Sequence, residues 1–204
     1  MRRFLNTVAL AGALSAAVCG SANAGVILSD NFDAAPLGLN WPGDAVFTSL
    51  GGPPSGPTTD LIGAPGFFDM LPGNGRYVDM DGSTGVSGIL QSVVSFGPGD
   101  YTLSFWLAGN QRNVAPRAVD VFLGTDLIAS VTLPATTPFT LFTFNFTSTG
   151  GGNLTFAQQG PGNNQGSLLD NVTLSVPEPT TLAMAMGALF SILGLSFWRR
   201  RAGA

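Results

Sequence analysis

The sequence predicts an all-β protein, an antiparallel β-sandwich of the jelly-roll kind, with an apolar segment at each end of the chain. Apolar and polar residues alternate in runs of about five to nine residues, as expected for strands with one buried face. The chain also contains 28 glycines and 14 prolines, which place turns between these runs. Outside the terminal segments, no long stretch shows the periodicity of an amphipathic helix.

The first 24 residues have the composition of a secretory signal peptide. A basic start and an apolar run over residues 4–18 precede Ala22 and Ala24, small residues placed for cleavage before Gly25. The apolar run is shorter than the ~20 residues that a membrane span needs. We therefore expect residues 1–24 to be removed after export by the general secretory route.

Ten segments of the body are predicted to be strands, each bounded by residues that favour turns. They lie near residues 26–32, 45–49, 76–81, 88–96, 101–109, 118–124, 127–133, 139–147, 153–158 and 168–176. Between them, residues 50–75 contain seven glycines and five prolines. This segment is predicted to form a long irregular loop, and residues 25–176 as a whole to form one β-sandwich domain.

The C-terminal segment has three parts. They are Val176-Pro177-Glu178-Pro179, an apolar stretch over 181–198, and Arg199-Arg200-Arg201. The apolar stretch is predicted to be a transmembrane helix, since 17 uncharged residues from Leu182 span about 26 Å at 1.5 Å per residue. The arginines at its far end place the C-terminus in the cytoplasm and the body outside.

This order of parts resembles the PEP-CTERM sorting signal of Gram-negative bacteria. The resemblance covers residues 177–204 and implies that exosortase, an integral membrane protease, recognises and removes the tail. It also implies passage through the inner membrane, followed by a location at the cell surface or outside the cell. The family often accompanies the export of exopolysaccharide or biofilm matrix. Glu178 is the only glutamate of the chain, which suits a recognition element.

The body resembles galactose-binding-like jelly rolls. Residues 76–82, 88–91 and 98–105 follow one another as in that family, and residues 168–174 resemble its last strand. The resemblance implies a fold like that of carbohydrate-binding modules, with exopolysaccharide as a possible partner.

The composition excludes most kinds of catalytic centre. The chain has no histidine and no lysine, and its single cysteine, Cys19, precedes the predicted cleavage site. Acylation of Cys19, as in a lipoprotein, is the alternative to that cleavage, and the bulky Val18 argues against it. Centres that need histidine, thiolate or a Schiff-base lysine therefore lack their residues. A glycosidase with paired aspartates stays open, but we expect no enzymatic activity.

The body carries three arginines and eleven aspartates, a net charge of −8. This charge argues against nucleic acid as a partner and is compatible with neutral sugars or a divalent cation. Trp41, Asp79, Asp81 and Arg112 are candidate ligand residues. Arg112 could meet the amide-rich residues 158–165 at one end of the sandwich. For Asp79 and Asp81, which share one strand face, a solvated surface is the interpretation we favour.

Asp33 and Asp170 form a candidate calcium site. The first and last strands of jelly rolls often lie close together, and related modules hold a structural Ca²⁺ with oxygen ligands from such ends. The alternative, which we favour, is that both side chains stabilise local turns.

These observations predict an exported protein of the surface or matrix with a glycan-binding or structural role and no certain cofactor. An aspartate-dependent glycoside hydrolase or lyase and a protein-binding adhesin are the alternatives.

Overall fold

The computed structural model describes residues 25–52, 55–66 and 68–177, and every regular element among them is a strand. The predicted signal peptide and the tail from Glu178 onward lie outside the described residues. The strands are β1 (Gly25–Asp30), β2 (Gly38–Trp41), β3 (Phe47–Ser49), β4 (Thr59–Gly63), β5 (Arg76–Asp79), β6 (Ile89–Phe96), β7 (Gly99–Ala108), β8 (Ala118–Leu123), β9 (Asp126–Thr132), β10 (Thr140–Ser148), β11 (Gly152–Gln158) and β12 (Leu168–Val176). Within these described ranges, no helix has the length and apolar character that crossing a bilayer requires.

The strands form two antiparallel sheets that pack face to face. The seven-stranded sheet has the order β10-β7-β12-β5-β4-β2, and β1 pairs with the second half of β12. The five-stranded sheet has the order β3-β6-β11-β8-β9. Sheet neighbours are often distant in sequence because the chain crosses repeatedly from one sheet to the other. The predicted fold class, an all-β antiparallel sandwich of the jelly-roll kind, is confirmed for the described residues.

The inward-facing residues of both sheets form one hydrophobic core. The ring of Phe105 stacks on Phe142 and Phe144 of the neighbouring β10, with centroids 5.8 and 6.0 Å away. It also meets Phe156 of the opposite sheet edge to face at 5.2 Å. Phe142 pairs with Phe105 and Phe144 pairs with Leu103 in register, so the alternation seen in the sequence does place these rings on one face.

All ten predicted strands are present, and two more, β2 and β4, were not predicted. β4 lies within residues 50–75, so the expectation of irregular structure is wrong for that part of the segment. All five residues of β4 are buried, and the strand lies between β2 and β5. A short strand that is buried on both faces lacks the alternation on which the prediction depended.

The chain after β4 packs on the outer face of the seven-stranded sheet, the face turned away from the core. Met70 and Leu71 cover Ile62 and Tyr77 there, and their backbone N–H groups donate to Tyr77 Oη at 2.6 and 3.0 Å. Tyr77 donates in turn to Asp69 Oδ1 at 3.1 Å. Burial raises the pKa of Tyr77 to about 12, so its hydroxyl remains a donor. This segment therefore covers one part of the outer face.

Candidate functional site

The loops at one end of the sandwich meet around two buried aspartates. Asp79 is the last residue of β5, and Asp81 lies two residues further along the chain. Their exposed fractions are 1% and 0%. The loop after β7, residues 109–117, and the loop before β12, residues 159–167, both bond to them. We refer to this end of the sandwich as the loop end.

Asp79 connects three segments of the chain. Its Oδ1 accepts from the backbone N–H groups of Asp81 and Gly166 at 3.0 and 2.8 Å, and its Oδ2 accepts from Arg112 Nη1 at 2.6 Å. A glycine is required at 166 because a Cβ there would collide with the backbone nitrogen of Asp81. Burial raises the pKa of Asp79 to about 6, although the guanidinium of Arg112 opposes the shift.

Asp81 forms a second ion pair beside the first. Its Oδ2 accepts from Arg117 Nη1 at 3.2 Å and from the backbone N–H of Asn163 at 2.8 Å. Its Oδ1 is buried and has no hydrogen-bond partner. The expectation of a solvated surface for Asp79 and Asp81 is therefore wrong. Both carboxylates are buried and bond to the loops of the loop end. Each forms an ion pair with an arginine, since an unpaired buried charge is strongly destabilising.

A cleft of about 310 Å³ opens at the loop end. It is lined by Leu39, Asp60, Ile62, Phe68, Met70, Ser83, Arg112, Asn164 and Gln165, and we refer to it as the loop-end cleft. Phe68 and Leu39 are 55% and 48% exposed. The cleft thus combines apolar side chains with a few polar groups, as is typical of sites for small organic ligands.

Asp60 and Arg112 are the charged groups of the cleft. Asp60 is buried, and its carboxylate accepts from the Ser83 hydroxyl at 2.8 Å and from the backbone N–H of Asn40 at 2.6 Å. Arg112 Nη1 donates to Asp79 and, at 2.9 Å, to the carbonyl oxygen of Asn164. The backbone N–H of Arg112 donates to Asn110 Oδ1 at 2.9 Å. The guanidinium nitrogens Nε and Nη2 make no hydrogen bond within the described part of the chain, so they remain able to donate to a ligand.

Gln165, in the lining of the cleft, has a hydrogen-bond acceptor without a donor. Its Oε1 is buried and accepts no hydrogen bond from the described residues. A buried acceptor without a donor costs about 1–3 kcal/mol relative to a satisfied one. A hydroxyl or amine of a ligand in the cleft would remove that cost.

The structure brings some predicted site residues together and separates others. Arg112 and the amide-rich segment do meet, through the bond to the Asn164 carbonyl. Trp41 does not join them, because it is 2% exposed and packs edge to face on Phe32 with a centroid distance of 6.0 Å. A role for Trp41 as a platform for a sugar ring is therefore wrong, since its ring is enclosed in the core.

Sequence reasoning does not identify Asp60 as a site residue, because Asp60 lies in the segment 50–75 that is predicted to be irregular. It pairs in register with Asp79 across β4 and β5, so only the recognition of β4 as a strand would have placed it at the loop end. The signal available was the short apolar pair Leu61-Ile62 between turn residues.

A second group of carboxylates lies beside β12, at the end of β1. Asp33 Oδ1 accepts from the backbone N–H of Arg76 at 2.8 Å, and Asp170 Oδ1 accepts from its neighbour Asn171 at 2.7 Å. Burial raises the pKa of Asp170 to about 7, and the negative charges of Asp33 and Asp30 contribute. Asp33 and Asp170 therefore lie within electrostatic reach of one another, and each also stabilises local backbone.

Asp30 is the third member of this group. Its Oδ1 accepts from the backbone N–H of Phe32 at 2.8 Å, while its Oδ2 is buried without a partner. Burial, and then the nearby carboxylate of Asp44, raise the pKa of Asp30 to about 6. Across residues 25–52, 55–66 and 68–177, no three acidic side chains are grouped closely enough to hold a metal ion. An ion here would need further oxygens from backbone carbonyls or water.

Comparison with known proteins supports the fold. No family model matches the chain, and no curated protein matches it. The K3 adhesin domain of Lys-gingipain from Porphyromonas gingivalis W83 is 16% identical, with a TM-score of 0.55 over 75% of this chain and 100% of that one. The K1 adhesin domain of the same protein is 14% identical, with a TM-score of 0.52 over 74% and 98%. At such identities the likeness establishes a shared fold.

A xylan-binding domain is also similar, at a lower score. The CBM22-1 domain of Paenibacillus barcinonensis Xyn10C is 15% identical over 76% of this chain and 97% of that one, with a TM-score of 0.47. That score is too low for the likeness to carry an argument about this chain.

The raised pKa values predict that the domain becomes less stable as the pH rises from about 4 to 7. A carboxyl group whose pKa is higher in the folded than in the unfolded state favours folding while it is protonated, and this contribution is lost as the pH passes the folded pKa. For Asp170, whose pKa rises from 3.8 to about 7, we expect a loss on the order of 1 to 3 kcal/mol. Urea unfolding measured across this range should show it.

Asp170→Asn should remove the part of that pH dependence that Asp170 contributes, and it keeps the acceptor for Asn171. Asp126→Asn is the matched control. The bond from the Ser148 hydroxyl lowers the pKa of Asp126, so this group is already ionised throughout the range. A stability that falls equally in both variants would contradict the assignment to Asp170.

Proposed function

We propose that the chain is an exported, non-enzymatic glycan-binding protein of the cell surface or extracellular matrix, and that the loop-end cleft holds the glycan. The observation that carries the proposal is that one cleft is lined both by Gln165, whose Oε1 is unsatisfied, and by Arg112, whose guanidinium can donate. Sugars offer many hydroxyls that can donate to the first group and accept from the second. The half-exposed ring of Phe68 supplies an apolar surface for the C–H face of a sugar ring.

If the cleft holds a glycan, substitution of Gln165 should have opposite effects on the stability of the domain and on its affinity for the glycan. Gln165→Met keeps the length of the side chain and removes the unsatisfied oxygen, so we expect the free energy of unfolding to stay equal or rise by about 1 kcal/mol. On a glycan array followed by titration with the best glycan, the same variant should bind roughly tenfold more weakly, about 1.4 kcal/mol.

Gln159→Met is the matched control, because Gln159 lies in the same loop and does not line the cleft. It should leave the affinity unchanged. If wild-type protein binds no glycan on the array, or if Gln165→Met binds as tightly as wild type, the cleft is not the glycan site.

The hydrolase alternative receives no support from the cleft. Glycosidases of the two-carboxylate type place both groups within about 5–9.5 Å of each other beside the scissile bond. Asp60 is the one carboxylate that lines the cleft, while Asp79 is paired with Arg112 behind the surface. The adhesin alternative draws on the two similar adhesin domains, and binding of proteins but no glycans on a mixed array would favour it.

We also infer that an exosortase-type membrane protease removes the tail. The pairing of β1 with β12 supports this inference. Gly25 pairs with Val176 in register, so the first and last strands of the domain lie side by side. The Pro177-Glu178-Pro179 motif follows directly, and no long linker lies between the last strand and the sorting signal.

Processing predicts the mass of the protein recovered outside the cell. We expect a chain that begins at Gly25 and lacks the apolar stretch 181–198 and the terminal arginines. Glu178→Gln should leave unprocessed protein in the membrane fraction, whereas Thr180→Ser, a conservative change two residues away, should be processed normally. An extracellular protein that is intact through Arg201 would rule out the processing.

We further propose that the carboxylates beside β12 bind a structural Ca²⁺. The buried, unpartnered Asp30 Oδ2 and the raised pKa of Asp170 support this, because both mark negative charge that the described residues do not neutralise. Asp33 and Asp170 would contribute carboxylate oxygens, the ligands that calcium prefers, and backbone carbonyls or water would supply the rest. A bound ion would stabilise the fold of a domain that contains no cysteine.

Calcium should therefore raise the midpoint of thermal unfolding at about pH 8, and much less at about pH 5, where Asp170 is protonated. The chelator EGTA should reverse the effect. Asp170→Asn should abolish it, and Asp100→Asn, at the other end of β7, should not. An equal rise with sodium chloride of matched ionic strength would show screening of charge and contradict a specific site.

A further inference from the structure

The outer face of the seven-stranded sheet is open over β7 and β10. The segment around Met70 and Leu71 covers the part near Ala108 and Leu168. Beyond it, alternate residues of β7 point outward, since Phe105 and Leu107 on either side of Trp106 are core residues. The outward residues are Trp106, Ser104, Thr102 and Asp100 of β7, with their register partners Leu141, Thr143, Asn145 and Thr147 of β10.

Trp106 lies at one end of this surface and is its aromatic group. It is 38% exposed, and its register partner Leu141 is 52% exposed. On its other side it pairs with Asp170 of β12, whose carboxyl group is buried. A large ring that stays exposed on a sheet face, beside an exposed leucine, offers an apolar surface for stacking.

Hydroxyl and amide groups continue from Trp106 along the strands. Ser104 lies opposite Thr143, and Thr102 donates to Asn145 Oδ1 at 2.7 Å, which leaves the N–H groups of Asn145 able to donate to a ligand. The row ends at Asp100, which accepts from Thr147 at 2.6 Å, in a groove of about 480 Å³. From Trp106 to Asp100 the strand extends about 20 Å, enough for several sugar residues.

The charge of this surface differs from that of the rest of the domain. The body has a net charge of −8, yet the only charged side chain of the eight outward residues is Asp100, at the far end. A neutral ligand with many hydroxyls fits such a surface better than a protein does, since the cores of protein interfaces are depleted in serine and carry several aromatic or arginine anchors.

We propose that this face binds an extended, neutral polysaccharide that lies along β7 and β10 with one sugar ring stacked on Trp106. The proposal deepens the glycan-binding function and uses a surface separate from the loop-end cleft, so that either site can fail without the other. The hydroxyls of Ser104 and Thr143 and the amide of Asn145 hydrogen-bond successive sugar residues.

Affinity electrophoresis of the full-length chain in a non-ionic detergent tests the proposal, with hydroxyethyl cellulose, xylan, glucomannan or the host exopolysaccharide cast in the gel. Wild type should be retarded by at least one of them. Trp106→Ala should lose at least tenfold in affinity for that polysaccharide, and Trp106→Phe should retain part of it. Gln159→Met, in the loop before β12 and outside the lining of the loop-end cleft, should leave this retardation unchanged.

A second pair of variants keeps Trp106 in place. Thr143→Arg puts a long charged side chain over the hydroxyl row and should abolish retardation. Thr132→Arg makes the same change at an exposed position of β9 in the other sheet and should have no effect. The chain also contains Trp41, which is enclosed in the core, and Trp198 in the C-terminal segment. A shift of tryptophan emission on adding polysaccharide should be present in wild type and absent in Trp106→Phe, which keeps both of them.

Three outcomes would overturn the proposal. They are no retardation of wild type in any of the four gels, equal retardation of wild type and Thr143→Arg, and concentration-dependent self-association that Thr143→Arg abolishes in the absence of polysaccharide. The last would assign the face to a second copy of the chain. Retardation that Gln165→Met removes and Thr143→Arg does not would leave the loop-end cleft as the glycan site and exclude this one.

Discussion

The ion pair between Asp79 and Arg112 is the interaction on which the loop end depends. The domain has no cysteine in its described residues and cannot join its loops by disulfides. One buried carboxylate therefore holds the end of β5, the loop after β7 and the backbone before β12 at the same point. Gly166 permits the close approach that this requires. Gln165 lines the cleft, and the bond from the N–H of the neighbouring Gly166 to Asp79 fixes the backbone beside it.

The repulsion between two like charges at this point explains why Asp60 and Asp79 have different kinds of hydrogen-bond partner. Asp60 and Asp79 are directly opposite each other on β4 and β5, and like charges in such a pair are destabilising. The structure gives them different partners. Asp79 has the guanidinium of Arg112, whereas Asp60 has uncharged N–H and O–H donors from Asn40 and Ser83. Asp60 remains the carboxylate of the cleft, with its position fixed by neutral bonds.

A strand could be predicted from the sequence where one of its faces is buried and the other is exposed. β7 and β10 were predictable, because one face of each strand is apolar and the other is polar. In β10 this appears as the alternation of Phe142 and Phe144 with the polar residues between and after them. β4 was not, since burial on both faces removes that signal and glycines surround it.

Site residues were harder to predict than strands. Trp41 and Asp79 belong to residue types that often bind sugars, but whether a side chain faces solvent or the interior depends on contacts between distant segments. Asp79 is buried because residues 112 and 166 reach it, at separations of 33 and 87 residues. No local pattern encodes those contacts. The meeting of Arg112 with the amide-rich loop was predictable, because both follow or precede strands that end at the same end of the sandwich.

The direction of β12 relates the proposed glycan sites to the ends of the chain. Leu168 starts this strand at the loop end, and Val176 ends it beside Gly25, about 27 Å away at the usual rise per residue. The loop-end cleft therefore lies at the end of the domain opposite the paired residues Gly25 and Val176. The Trp106 face runs along the strands between these two ends, and its Asp100 end forms a groove that Pro177 also lines.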